Sequence, residues 1–540
     1  MTRVYVPRDA AALAVGADEV AAALVAGCAQ RGQPLELVRN GSRGMFWLET
    51  LVEVDTPQGR VAYGPVSVDD VAGLLDAGLL AGAPHALGHG LTAAIPYLAR
   101  QQRLTFARVG VTDPLSLADY EAHGGWAGLR RARALARTDV VEQVLQSGLR
   151  GRGGAAFPAG VKWKTVAAQA APVKYVVCNA DEGDSGTFSD RMVMEGDPYM
   201  LIEGMAIAAH AVGATQGYVY IRSEYPHAVA VMEEAIRRAE AAGWLSTDFR
   251  LEVRIGAGSY VCGEETAMLE SIEGKRGIVR SKPPLPAIEG LFGQPTVINN
   301  VITFASVPII LAQGAAFYAG YGTGRSRGTL PIQLAGNVRR GGLVELAFGT
   351  TLRELVFDFG GGTRSGRPVK AIQAPAKHRD PAPAISTSGT RAAMAATASA
   401  AIALTLALTA LQVSSQETTR RLRSVLDLFP RLQDRKGQVV GTMSGGEQRM
   451  VAIGMGLMTE PRVLLLDEPT TGLAPSVVHQ LMALIQRLNS ERGITTVVVE
   501  QNILSLLKIA HSLVVVKNGR CAVYPGLPSS ISKEDVIGIL

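Results

Sequence analysis

Apolar residues recur along this chain at two spacings, and their alternation divides it into elements before any chemistry is considered. Val140, Val141, Val144 and Leu145 fall at helical spacing, and residues 198–212 and 227–242 read as amphipathic helices. Compact apolar runs at 175–178 and 218–222 read as strands lying between them. Nearer the N-terminus, 10–28 is helix-like, and strands are expected at 35–38 and 45–53. Further along, 329–336 and 342–349 read as strands, 351–359 as a helix stopped by Gly360, Gly361 and Gly362, and 368–373 as another strand. Helices interleaved with strands over this length predict a multidomain α/β protein.

Beyond residue 373 the pattern changes. Residues 374–390 are rich in alanine, proline, serine and threonine, the composition of a linker. The uncharged stretch 392–413 that follows, about 22 residues, meets the length rule for a membrane span. Its alanine and threonine content argues instead for a surface helix or an unstructured junction. From 418 a third pattern begins, with apolar runs ending in acidic and glycine-rich motifs.

Composition narrows the function classes. Hydrophobic residues at 47% against 19% charged exclude a disordered chain. A net charge of +5, with no basic run interleaved with aromatics, argues against nucleic acid as a partner. Cys28, Cys178, Cys262 and Cys521 stand apart with no C-x-x-C, which argues against a disulfide framework and a cysteine-ligated metal and suits a reducing cytoplasm. His85 and His89 are four residues apart but have no third ligand nearby, so local polar packing is expected of them.

The densest chemistry lies in 147–163, SGLRGRGGAAFPAGVKW. Gly151, Gly153 and Gly154 can adopt positive φ and let backbone N–H groups converge on an anion, with Arg152 and Lys162 adding charge. Helical spacing before this loop and a strand after it do not match a Rossmann turn, and a plain glycine-rich linker is the alternative. Asn179, Asp181, Glu182 and Asp184 leave the 175–178 strand together. Tyr260, Gly263, Glu264 and Glu265 form a similar cluster, and Asn299 and Asn300 offer amides to a ring edge or ribose. Carboxylates for hydroxyls and a basic glycine loop for phosphates together suit a nucleotide or flavin.

These stretches, with CNADEGDSGTFSDR, GAGSYVCGEETAMLESIEGKRG and KPPLPAIEGLFGQPTVINN, resemble the NADH- and FMN-binding flavoprotein subunit of respiratory complex I. The run RLTFARVGVTDPLSLADY brings the likeness closer to the beta subunit of NAD-dependent formate dehydrogenase. The resemblance covers residues 1–373. It implies a thioredoxin-like domain over 1–102 without cluster ligands, an FMN- and NADH-binding domain over 103–317 and a partial β-grasp domain over 318–373. It further implies that Gly151, Arg152, Gly153, Gly154, Lys162, Asn179, Asp181, Glu182, Tyr260, Gly263, Glu264, Asn299 and Asn300 hold FMN, and that Phe157, Asp184, Glu265 and Lys282 face NADH. Asp184 and Glu265 are the residues nearest the chemistry by this likeness. Ala156, Asp184, Leu285 and Thr303 depart from the glycine, glutamate, phenylalanine and glutamate of the complex I branch. The family's four-iron cluster domain would follow residue 373, and no cysteines for it appear, so no iron–sulfur cluster is expected. The implied partners are the other subunits of a formate dehydrogenase or complex I-like assembly.

SGGEQRM and VLLLDEPTTGLAP resemble the signature and Walker B motifs of an ABC transporter ATPase, and VVVEQN resembles its branched-chain amino-acid branch. Ser444, Gly445 and Gly446 would then face a nucleotide phosphate, Asp467 would hold Mg²⁺, Glu468 would polarise water and Gln501 would act as the switch residue, with ATP as ligand. No G-x-x-x-x-G-K-[ST] occurs, so 418–540, joined through a 374–417 linker, reads as the C-terminal half of such a domain, a partial P-loop NTPase. The leading expectation is an NADH:acceptor oxidoreductase module fused to this half-domain. An ATP-binding transport subunit and a non-functional chimera remain the other readings.

Overall fold

The computed structural model describes residues 1–367 apart from 185 and 246–248. Beyond them it describes chiefly 415–438, 445–467, 475–500, 506–517 and 520–523, with short pieces at 371–373, 393–395 and 469–470. Two compact units result, the first built on Met1–Pro368 and the second on the C-terminal segments.

The first unit opens with β1 (Thr2–Tyr5), β2 (Leu35–Val38), β3 (Val52–Thr56), β4 (Gly59–Tyr63) and β5 (Gly88–Leu91) in one sheet of order β2-β1-β3-β4-β5. β1 and β2 run parallel and the remaining pairs antiparallel. The helix expected over 10–28 is two helices, Ala10–Leu13 and Ala17–Gln30. Gly16 at φ +93° breaks the first, a conformation that glycine adopts without steric cost. The strand expected over 45–53 is also corrected: a 3₁₀ turn, Phe46–Leu48, precedes β3. Met45, Leu48 and Leu51 are buried at a spacing of three, which suits a helical turn rather than an alternating strand. His85 and His89 pack locally as expected: Leu87 N donates to His85 Nδ1 at 3.1 Å, and His89 Nε2 lies 2.8 Å from the Gly64 carbonyl.

The centre of the unit is a four-stranded parallel sheet of β6 (Tyr175–Ala180), β7 (Gln216–Ile221), β8 (Arg250–Ile255) and β9 (Thr296–Asn300), in the order β8-β7-β6-β9. Parallel strands require crossovers, and helices Pro198–Val212 and Pro226–Ala241 provide them, within a residue of the sequence expectation. Every residue of Pro198–Val212 except His210 is buried, so this helix is core on all sides. Helix Val301–Gln313 crosses it so closely that a Cβ on Gly204 would collide with the Phe304 carbonyl. Glu203, on the same buried helix, accepts from Trp126 N at 2.8 Å, Leu129 N at 2.9 Å and Tyr120 Oη at 2.5 Å.

Strands Thr329–Leu334 and Gly342–Ala347 pair as an antiparallel hairpin that shares a core with Met45, Leu51, Tyr97 and Phe359. The helix expected over 351–359 holds, but Glu354–Phe359 within it is wound as a π-helix. Of the strand expected at 368–373, Ala371–Gln373 is extended.

In the second unit, Val463–Asp467 and Thr495–Val499 pair in parallel with helix Pro475–Arg492 between them, and helix Gly445–Leu457 precedes. Val514–Lys517 pairs with Arg520–Val523 as the expected closing hairpin. Its core gathers Leu432, Val451, Met458, Leu481 and Leu488. No helix among the described residues is long and apolar enough to cross a membrane, and most of 392–413 lies outside them.

Candidate functional site

All four parallel strands end at the same edge of the central sheet, where open α/β sheets bind ligands. β6 delivers Asn179, Asp181 and Asp184, β8 leads to Tyr260, Glu264 and Glu265, and β9 ends on Asn299 and Asn300. The glycine loop reaches this edge from between helices Arg137–Gln146 and Ala159–Ala168. Its base closes as a narrow hairpin, Gly151 N donating to Phe157 O and Ala159 N to Leu149 O, each at 2.9 Å.

At the loop tip, a Cβ on Gly153 would stand 3.1 Å from Asn300 Cβ, so the backbone lies directly against the end of β9. Among the described residues, the amides of Gly153 and Gly154 are donated to no backbone acceptor. Of the three glycines expected at positive φ, only Gly154 adopts it, at +106°; Gly151 and Gly153 serve through closure and close approach instead. Ala156 lies in the left-handed region at φ +50°, the position where the resembling family has glycine. A second close approach faces the first: a Cβ on Gly183 would stand 3.0 Å from the Tyr260 ring. Tyr260 is exposed, and its hydroxyl donates to Asp184 Oδ1 at 2.7 Å. Asn179 Nδ2 ties this wall to the Gly263 carbonyl at 2.9 Å.

Charge alternates across the floor. Lys282 Nζ donates to Glu264 Oε1 at 2.9 Å and Glu265 Oε1 at 2.7 Å, and Lys162 Nζ lies 3.5 Å from Glu265 Oε2 while donating to the Ile298 carbonyl at 2.8 Å. Desolvation lowers the Lys162 pKa even with Glu265 beside it. Lys282 is also partly desolvated, but its hydrogen bonds to Glu264 and Glu265 prevail and raise its pKa. Desolvation opposes the Glu264 charge as well, yet Lys282, the Thr266 hydroxyl and the amides of Thr266 and Ala267 hold it below the usual range; those amides make Glu264 the N-cap of helix Glu265–Ile272. Burial pushes Asp181 up to about 6 despite the nearby Arg222 guanidinium.

Four sequence-derived assignments change role. The Arg152 guanidinium faces away from the loop tip, donating to Tyr318 Oη at 2.9 Å and the Arg327 carbonyl at 2.6 Å above the Phe348 ring. There it braces the loop. Glu182 is buried and accepts from Ser189 Oγ and from the amides of Asp190 and Arg191, capping helix Ser189–Gly196 instead of facing a ligand. Asn300 spends both ends of its amide, donating to Asp190 Oδ2 at 2.5 Å and accepting from Ile302 N at 2.9 Å. Asn299 Oδ1 likewise takes the Trp163 indole N–H at 3.0 Å. Phe157 is exposed at the loop.

Sequence reasoning passes over Arg222, whose Nη1 donates to the Glu182 carbonyl at 2.6 Å from the end of β7. Its signal is a charged residue directly after the apolar run of 218–221. It also misses the brace supplied by Thr303, whose hydroxyl takes the Arg152 amide at 2.9 Å. In the second unit, Gly445 and Gly446 begin helix Gly445–Leu457, and Asp467 ends its strand opposite Val499. Ser444, Glu468 and Gln501 lie outside the described residues.

Residues 144–309 match the Nuo51 FMN-binding domain, and residues 377–471 match the ABC transporter family, a match that begins inside the stretch expected to be linker. The chain is 47% identical over 281 residues to NADP-reducing hydrogenase subunit HndC of Solidesulfovibrio fructosivorans, covering 51% of this chain and 57% of that one. It is 51% identical over 272 residues to an NADH-quinone oxidoreductase subunit of Rhizobium meliloti (strain 1021), covering 49% and 65%. The chain thus spans about three fifths of the length of these curated relatives. A crystal structure of NAD⁺-reducing [NiFe]-hydrogenase in the H₂-reduced state aligns over 85% of this chain and 82% of that one, at 22% identity and a TM-score of 0.47. One polypeptide thus matches, one after the other, the Nuo51 FMN-binding domain over 144–309 and the ABC transporter family over 377–471.

Proposed function

We propose that the first unit is an NADH:acceptor oxidoreductase module that binds FMN in the crevice at the strand ends and NAD(H) over it. The observation that carries this reading is the pairing of the loop-tip amides of Gly153 and Gly154 with the Lys162–Glu265–Lys282–Glu264 chain across one edge of the sheet. A flavin supplies the two-electron chemistry, accepting hydride from a nicotinamide. The protein's part is position. Gly153 and Gly154 offer N–H groups to a phosphate, and Gly183 lets the backbone after β6 pack directly against the Tyr260 ring. Phe157 and Tyr260 are both exposed near the strand ends and are the aromatic rings proposed to meet the planar ligands. Glu265, bridged between two lysines, is a carboxylate fixed for hydroxyl or carboxamide donors, and Asp184 is oriented by the Tyr260 hydroxyl.

The relatives' names, an NADH-quinone oxidoreductase subunit and an NADP-reducing hydrogenase subunit, support a role inside a multi-subunit redox assembly. Formate dehydrogenase is the assembly proposed here, in the cytoplasm, with the sheet unit over residues 1–102 as the thioredoxin-like domain and 318–373 as a partial β-grasp domain. For the second unit, the parallel pairing of Val463–Asp467 with Thr495–Val499 favours the core of an ABC ATPase half, for which Asp467 is the proposed Mg²⁺ residue and ATP the proposed ligand. The deciding experiment is the absorbance of the purified chain followed by anaerobic NADH addition. A flavin spectrum bleached by NADH is expected; a protein that neither retains nor rebinds FMN would overturn the proposal.

A further inference from the structure

A second concavity lies at the root of the glycine loop, away from the strand ends. Its volume is 430 Å³, and Gln146, Gly148, Arg150, Gly324, Arg325 and Arg327 are among the residues that line it. Among the described residues, every charged residue in the lining is an arginine. Among the described residues, Arg150 Nε is buried with no hydrogen-bond partner, a donor left for an acceptor to satisfy. Arg327 is aimed by its bond from Nη1 to the Ala319 carbonyl at 3.2 Å, and its aliphatic stem packs on Gly148. Gly324 has open space beside its Cα, so a ligand could approach backbone there.

We propose that this cavity binds a phosphoryl anion, held by the Arg150 and Arg327 forks with Arg325 adding charge. Planar guanidinium groups match phosphate oxygens in pairs, which a lysine cannot do. The volume has room for more than a single phosphate, so inorganic pyrophosphate serves as a probe. The site also touches the loop mechanically: the Arg327 carbonyl accepts the Arg152 guanidinium, and Leu149 and Pro158 in the lining belong to the loop's closing strands. Occupancy therefore stiffens the root of the loop whose tip faces the strand-end crevice.

Inorganic pyrophosphate titrated calorimetrically into the full chain tests this, before and after preloading with FMN and NAD⁺. Saturable binding that survives preloading is expected. Arg150→Gln and Arg325→Gln should each weaken it about tenfold or more, Arg150→Lys should recover part of the loss, and Lys162→Gln at the strand-end site should leave it unchanged. Binding abolished by NAD⁺, FMN or Lys162→Gln would assign the anion to the other site and overturn the proposal. Wild-type affinity in Arg325→Gln and in a folded Arg150→Gln would overturn it too.

Discussion

Glu345 offers the sharpest test of how the first unit is held together. It is fully buried on the hairpin strand Gly342–Ala347, and its carboxylate accepts from three consecutive amides about 240 residues away in sequence. Oε2 takes Leu104 N and Phe106 N, both at 2.9 Å. Oε1 takes Thr105 N at 2.9 Å and the hydroxyls of Thr105 and Thr329 at 2.6 Å. In Glu345→Gln the new NH₂ avoids the two-amide side, because there it would leave two buried N–H groups without an acceptor. On the other side it opposes one amide and two hydroxyls that can rotate to accept. The expected loss is one buried amide's desolvation penalty, about 1–3 kcal/mol. Glu345→Ala strands all three amides and should cost roughly two to three times as much. Hydrogen exchange of the amides of Leu104, Thr105 and Phe106 reads this locally, with faster exchange in the order wild type, Gln, Ala. Equal protection in all three proteins would show that the latch is open in solution and refute the reasoning.

Other expectations follow from the crevice. Glu265→Gln and Lys282→Ala should reduce NADH bleaching of the flavin by tens-fold while changing FMN affinity less, since each removes a charge-assisted bond; stopped-flow rates equal to wild type would count against it. Ala156→Gly should stabilise the protein by about 1 kcal/mol, because it relieves a left-handed alanine, as read from urea midpoints. Asp181, raised to about 6 by burial, prefers its protonated form in the fold, so its contribution is full below the ordinary carboxylate range and is lost as pH rises through about 6. Asp181→Asn should flatten the stability profile of the FMN-free protein over roughly pH 4–6. The chain alone should hydrolyse no ATP in steady state, because its sequence has no P-loop lysine or backbone nest to position the phosphates; phosphate release abolished by mutating Glu468 would contradict this.

The local pattern alone determined two of the four strands of the central sheet, β6 and β7, and the two long helices beside them, but not β8 or β9. The apolar spacing of 198–212 fixed a helix, though one expected to be amphipathic, and packing buried it on all sides, Glu203 included; the runs at 175–178 and 218–222 suit strands covered on both faces. Motif order also identified the loops that converge at the strand ends, because glycine and carboxylate clusters are visible without three dimensions. What each polar side chain does there was decided by tertiary packing. Arg152, Glu182 and Asn300 look like ligand groups in one dimension, but each meets a partner elsewhere along the chain, at Tyr318, Ser189–Arg191 and Asp190 respectively. Buried polar groups must be satisfied, and the nearest unsatisfied donor or helix end claims them before any ligand can. The latch at Glu345 and the arginine-lined cavity were invisible for the same reason: each exists only where segments separated by more than 150 residues are folded together.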